Sequence, residues 1–101
     1  LSTGLFYRPA NAAPTEEVIA LAGLLAPAGA LYTTHMRDEA DDVMKSLEET
    51  FRIGREAGVR AIVSLHKVTG TANFGRSRET LALIERGVGA LLEQLCLRQR
   101  L

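Results

Sequence analysis

The chain has 101 residues, 47% of them hydrophobic and 24% charged, the balance of a globular domain rather than a disordered segment. Lys and Arg together number 12, as do Asp and Glu, so no excess positive charge is available for nucleic acid or an anionic membrane surface. No apolar run approaches the roughly 18 residues of a spanning helix, and no signal segment opens the chain. The single cysteine, Cys96, cannot close an internal disulfide, which fits a cytoplasmic protein. The first residue is Leu1 rather than Met, so the start is expected to be processed or internal to a longer protein.

Taken in order, the segments alternate between strand-like and helix-like patterns. Gly4-Leu5-Phe6-Tyr7 is a short apolar run closed by Arg8-Pro9-Ala10-Asn11, where proline stops helix and ladder alike,. A helix should follow, with Thr15 as its cap, Glu16 and Glu17 at its positive end, and Val18, Leu21, Ala22 and Leu25 on one face,. Pro27 and Gly29 should end it,. Ala30 to Thr34 reads as a strand with His35 at its tip.

The next helix is predicted over about Asp38 to Ala57. Val43, Leu47, Phe51 and Gly54 form one stripe, and Glu48–Arg52 and Arg52–Glu56 form i,i+4 pairs on the outer side,. Its first turn would be acidic, through Asp38, Glu39, Asp41 and Asp42, as the helix dipole favours,. Gly58 sits where a helix ends. Ala61 to Leu65 is an apolar run of the length expected for a buried parallel strand,. A loop from Lys67 to Gly75 leads to a last helix from about Ser77, with Leu81, Ile84, Val88, Leu91 and Leu95 at helical spacing. The order β-α-β-α-β-α predicts an α/β fold with parallel strands. Alternation alone leaves both an open doubly wound sheet and a closed barrel in play.

Polar groups with chemical potential collect at the strand ends: Tyr7 after the first, His35 after the second, Ser64, His66 and Lys67 after the third. In both parallel architectures, ligands bind outside those ends. A neutral imidazole there can bind zinc, and a lysine can hold a carboxylate. Position alone is equally met by a histidine in local hydrogen bonds, a rim tyrosine, a solvated lysine and an acidic turn explained by the dipole. Arg76 and Arg78 after Gly75 could hold an anion or simply form a solvated face.

The blocks Thr3-Gly4-Leu5-Phe6-Tyr7, Thr34-His35-Met36-Arg37-Asp38-Glu39, Leu47 to Glu56 and Asn73 to Thr80 resemble, in order and spacing, the D-aminoacylases. These are the N-acyl-D-amino-acid deacylases of the amidohydrolase superfamily, and the resemblance covers roughly Ser2 to Glu85. It implies consecutive strand–helix units from a (β/α)8 TIM barrel, as an internal stretch of that barrel. It implies a family activity in which zinc activates water to hydrolyse an N-acyl-D-amino acid. It also implies that His35 is a zinc ligand and that Tyr7 and Lys67 bind substrate, Lys67 through its carboxylate. Residues 1–85 would then form a partial barrel, and 86–101 a C-terminal helix extension outside the family pattern, within the same domain.

Where the family usually reads Ser-His-His-Lys, this chain reads Ser64-Leu65-His66-Lys67. Leu65 thus stands where the resemblance expects a second metal ligand, and His66 is expected to point to the opposite face. The family's His-x-His pair and cysteine ligand belong upstream of this stretch, and its catalytic aspartate and substrate-binding arginine downstream. The sequence therefore carries no complete catalytic set. It leads to an inactive stretch of a zinc-dependent deacylase that binds no zinc tightly by itself. The alternatives are a self-associating module and a hydrolase completed by oligomerisation. The expected partner is a second copy of the chain, as a homo-oligomer, or the missing part of the barrel.

Overall fold

The computed structural model describes residues 1–64 and 66–87. Three short strands, β1 (Ser2–Gly4), β2 (Leu31–His35) and β3 (Arg60–Val63), form a parallel sheet in that order. Helix α1 (Thr15–Gly23) joins the first two strands and α2 (Val43–Ala57) the second pair, while residues 77–87 form a last helix, α3. The alternation and the parallel pairing are those that the sequence predicts. Among the described residues no helix is long and apolar enough to cross a membrane.

Register sets which side chains share a face. Ser2 lies beside Thr33 and Thr33 beside Ile62; Thr3 lies beside Thr34 and Thr34 beside Val63; Gly4 lies beside His35. Because alternate residues point to opposite faces, Tyr32 and Thr34 turn under the helices and are buried, whereas Leu31, Thr33 and His35 share the other side with Ile62. On the covered face Tyr32, Ile53, Ala57 and Val59 pack with Val18 and Ala22 of α1, and Met36 packs with Val43 and Leu47 of α2. The opposite face carries no helix among the described residues, and Leu31 and Ile62 remain 40% and 46% exposed there.

Helix α2 buries Val43, Ser46, Leu47, Thr50, Ile53 and Ala57 at helical spacing,; of the expected stripe Val43 and Leu47 are in it, whereas Phe51 and Gly54 are only half-buried. Gly58 closes it in the left-handed conformation, its N–H returning to the Gly54 carbonyl,. On the outer side, Arg52 pairs with Glu56, as expected, and with Glu16 of α1.

Several local expectations differ from the structure. The first strand precedes the Gly4–Tyr7 run, because the Tyr7 N–H bonds back to the Gly4 carbonyl at 2.9 Å and turns the chain out of the sheet. Thr15 does not cap α1; its hydroxyl donates to Glu49 across the helix pair at 2.7 Å, and Pro14 occupies the cap position. Leu21 of α1 is half exposed rather than packed. Residues 38–42 are not the first turn of α2, which begins at Val43 with no acidic residue in that turn. Asp38 closes a local turn onto the Ala40 N–H, and the Asp38 N–H donates to the Ser46 hydroxyl. Leu65, Val88, Leu91, Leu95, Cys96 and nearly all of the 86–101 extension lie outside the described residues.

Candidate functional site

The C-terminal ends of β1, β2 and β3 bring Tyr7, His35 and Lys67 together around one further side chain, Glu39. The Tyr7 ring meets the His35 imidazole edge-on, with centroids 5.7 Å apart and planes at 68°. Tyr7 fits there because residue 4 is glycine: a Cβ at Gly4 would lie 2.8 Å from Tyr7 Cδ2. His35 Nδ1 stands 3.6 Å from Glu39 Oε1, and Lys67 Nζ stands 3.1 Å from Glu39 Oε2. Glu39 thus bridges the loop after β2 and the loop after β3.

Glu39 is unusual in its burial. Its side chain is 2% exposed, against 27% for His35 and 48% for Lys67. Two donors of the loop after β3, the Thr69 N–H at 2.7 Å and the Thr69 hydroxyl at 3.1 Å, fix its carbonyl. Next to it, Asn73 Nδ2 donates to Asp41 Oδ1 at 2.8 Å and Arg76 Nη1 to the Asp41 carbonyl at 3.1 Å. These contacts pull residues 38–42 into the loop and carry Glu39 inward. Oε2 has the Lys67 ammonium; Oε1 is buried with no hydrogen-bond partner among the described residues. A buried polar atom left without a bond costs about 1–3 kcal/mol, more when charged.

The other sequence candidates take structural parts. His66 is exposed, and its Nε2 lies 2.8 Å from Thr80 Oγ1 at the start of α3. Arg76 bonds to Asp41, Asn73 and Glu79 rather than facing solvent as an anion site. A groove of about 640 Å³ between α2 and α3, lined in part by Lys45, Phe51, Arg55 and Leu83, contains none of the four strand-end residues. Glu39 is the member that sequence reasoning misplaced. Its acidic neighbours fit a helix dipole, and its link to Lys67 spans 28 residues with no local signal.

Zinc in proteins takes three or four donors from the chain. Among the described residues no group of three or more His, Cys, Asp or Glu side chains converges in that way. His35 could fill one corner of such a site, while Glu39 is engaged by Lys67. The described donor set does not fit a complete metal centre.

No protein-family model matches the chain. Individual relatives do. It is 58% identical over 85 residues to a D-aminoacylase of Alcaligenes xylosoxydans xylosoxydans, covering 84% of this chain and 18% of that protein. It is 50% identical over 98 residues to an N-acyl-D-aspartate deacylase of the same organism, covering 96% and 19% respectively. Among solved structures, the fold matches a D-aminoacylase described as defining a novel subset of amidohydrolases, with TM-score 0.85 and 56% identity over 87% of this chain and 19% of that one. It also matches the N-acyl-D-glutamate deacylase of Bordetella bronchiseptica, solved with zinc and a phosphonate mimic of the tetrahedral intermediate (TM-score 0.82, 44% identity, covering 88% and 19%). The chain spans about a fifth of the length of the relatives it matches, and over that stretch its homologues are N-acyl-D-amino-acid deacylases.

Proposed function

We propose that this chain supplies one wall of an N-acyl-D-amino-acid deacylase site and performs no hydrolysis by itself. In this reading the strands are three consecutive staves of a (β/α)8 TIM barrel, the open face carrying Leu31, Thr33, His35 and Ile62 is the barrel interior, and residues 86–101 extend beyond the barrel pattern. The remaining staves come from further polypeptide or from a second copy of the chain, and the substrate is a small N-acyl-D-amino acid. The observation that carries the reading is the convergence of Tyr7, His35 and Lys67 at one end of the sheet, where parallel α/β barrels hold their ligands.

Each side chain then has a distinct task. His35 would serve as one imidazole ligand among several to a metal ion, which would supply Lewis-acid chemistry when bound. Lys67 presents an ammonium to the substrate carboxylate, a charge-assisted bond that orients the amide. Tyr7, half exposed at the rim, offers an aromatic edge and a hydroxyl. Leu65 provides no lone pair, so the chain by itself offers one ligand where hydrolysis needs several.

Restoring the missing donor tests this assignment. Leu65→His is expected to raise zinc affinity about tenfold or more over the parent chain, since a second imidazole is added to a one-ligand corner. Isothermal titration calorimetry measures the change, and His35→Ala in the Leu65→His background should cancel it. A gain that survives removal of His35 rules out His35 as the partner ligand.

A further inference from the structure

We infer that Glu39 is a positioning residue whose buried carboxylate tethers the Lys67 ammonium at the strand-end mouth, making Lys67 a fixed cationic donor there rather than a freely swinging surface lysine. The chain has two lysines, Lys45 and Lys67, and each stands against one carboxylate. Lys45 Nζ lies 3.0 Å from Asp42 Oδ1, and Lys67 Nζ lies 3.1 Å from Glu39 Oε2. What separates the two pairs is the acid. Lys45 is 80% exposed and Asp42 58%, so water replaces either partner when that pair opens, and such contacts form and break at little cost. Glu39 is 2% exposed. If Lys67 left it, a desolvated carboxylate would stand without its counter-charge, which is strongly unfavourable.

The acid cannot follow a departing lysine. The Glu39 carbonyl accepts the Thr69 N–H at 2.7 Å and the Thr69 hydroxyl at 3.1 Å, and Thr69 lies just beyond Lys67 in the same loop. The ion pair and these bonds tie the loops after β2 and β3 at neighbouring points, fixing both where the Lys67 stem begins and where its ammonium ends. No other cation takes its place: Oε1 has no hydrogen-bond partner among the described residues, and His35 Nδ1, 3.6 Å away, stands beyond hydrogen-bond length,. Lys67 itself is 48% exposed, and an ammonium carries three N–H donors, so the side turned from Glu39 keeps donors for an anion at the mouth. A carboxylate arriving there meets a lysine already in place. The entropy of ordering a long flexible stem is then lost on folding rather than on binding.

The tether stands on the Glu39–Lys67 pair; that its ligand is a substrate carboxylate rests on the functional reading above, and the two fail separately. The test is carbon-13 relaxation at Cε in the chain labelled at lysine, where only Lys45 and Lys67 give signals and Lys45→Arg assigns them. On the ps–ns timescale the order parameter of Lys67 Cε is expected to be about twice that of Lys45. Glu39→Gln, which keeps the shape and removes the charge, should bring Lys67 down to the level of Lys45 and leave Lys45 unchanged. Equal order at the two lysines of the parent chain, or a folded Glu39→Gln chain in which Lys67 is as ordered as before, overturns the inference. If Glu39→Gln does not fold, the parent comparison decides alone. Titrating the parent chain with N-acetyl-D-alanine and with its carboxamide separates the two readings: the Lys67 signal is expected to shift with the acid only. No shift with the acid would remove the carboxylate role and leave the tether standing.

Discussion

A methyl group added at Gly54 would lie 3.2 Å from both the Ala61 side chain and the Val59 carbonyl oxygen, whereas one added at Gly23 would meet nothing within 4 Å. Both glycines are helical, and in an open helix alanine is preferred by about 0.5–1 kcal/mol. The two sites should respond oppositely. Gly23→Ala should stabilise the chain by about 0.4–1 kcal/mol through the unfolded state. Gly54→Ala should destabilise it by about 1–2 kcal/mol, because the Val59 backbone leading into β3 cannot move away as a flexible side chain would,. Urea unfolding of the two variants beside the parent measures the difference. Two stabilising outcomes would mean that α2 and β3 are less tightly apposed than the structure has them.

Arg37, just after β2, clamps α1, α2 and their loops as one unit. It makes a paired contact to Glu49 of α2, with Nη2 at 2.7 Å, and donates to the Asn11 carbonyl at 2.6 Å, while Thr15 donates to the same carboxylate. Burial alone would push the Glu49 carboxyl up. The hydrogen bonds from Arg37 and Thr15, with the charges of Arg37 and Arg52, outweigh it and hold the carboxyl below its ordinary value of 4.5. A carboxyl depressed in the folded state stabilises the fold above its ordinary value and loses that contribution as pH falls through the lower folded value. Stability measured from about pH 6 to pH 2.5 should therefore decline below 4.5,. Arg37→Met should lower stability at neutral pH by about 1–2 kcal/mol and flatten that acid decline. An unchanged acid slope in Arg37→Met would show that the decline comes from other carboxylates. Elements such as α2 were legible in the sequence because apolar residues recur at helical spacing through about four turns from Val43 to Ala57,. The Thr15 and Arg37 contacts were not legible: each joins segments separated by twelve or more residues, and hydrogen bonding to a distant carboxylate leaves no periodicity behind.

Across the whole molecule, the strand-end grouping of Tyr7, His35 and Lys67 could be placed from order alone, since parallel strands present their C-terminal ends on the same side. Glu39 could not, because its burial depends on Lys67 and Thr69 arriving from the next strand–helix unit. That dependence also bounds what the chain can do. It has a sheet with one helix-covered face, an open face bearing exposed Leu31 and Ile62, and a single imidazole beside a carboxylate already paired with lysine. Incubated with zinc and N-acyl-D-amino acids bearing apolar, aspartate or glutamate side chains, the pure chain is expected to release no free D-amino acid. The assay should be run from low to high protein concentration alongside sedimentation, because exposed apolar faces favour association. Association without activity would fit copies that cover the open face but add no ligand, since each copy brings the same Leu65. Zinc-dependent release that rises with the associated fraction would mean instead that two copies do complete a site, and that the absence of a second histidine at residue 65 is overcome across the interface.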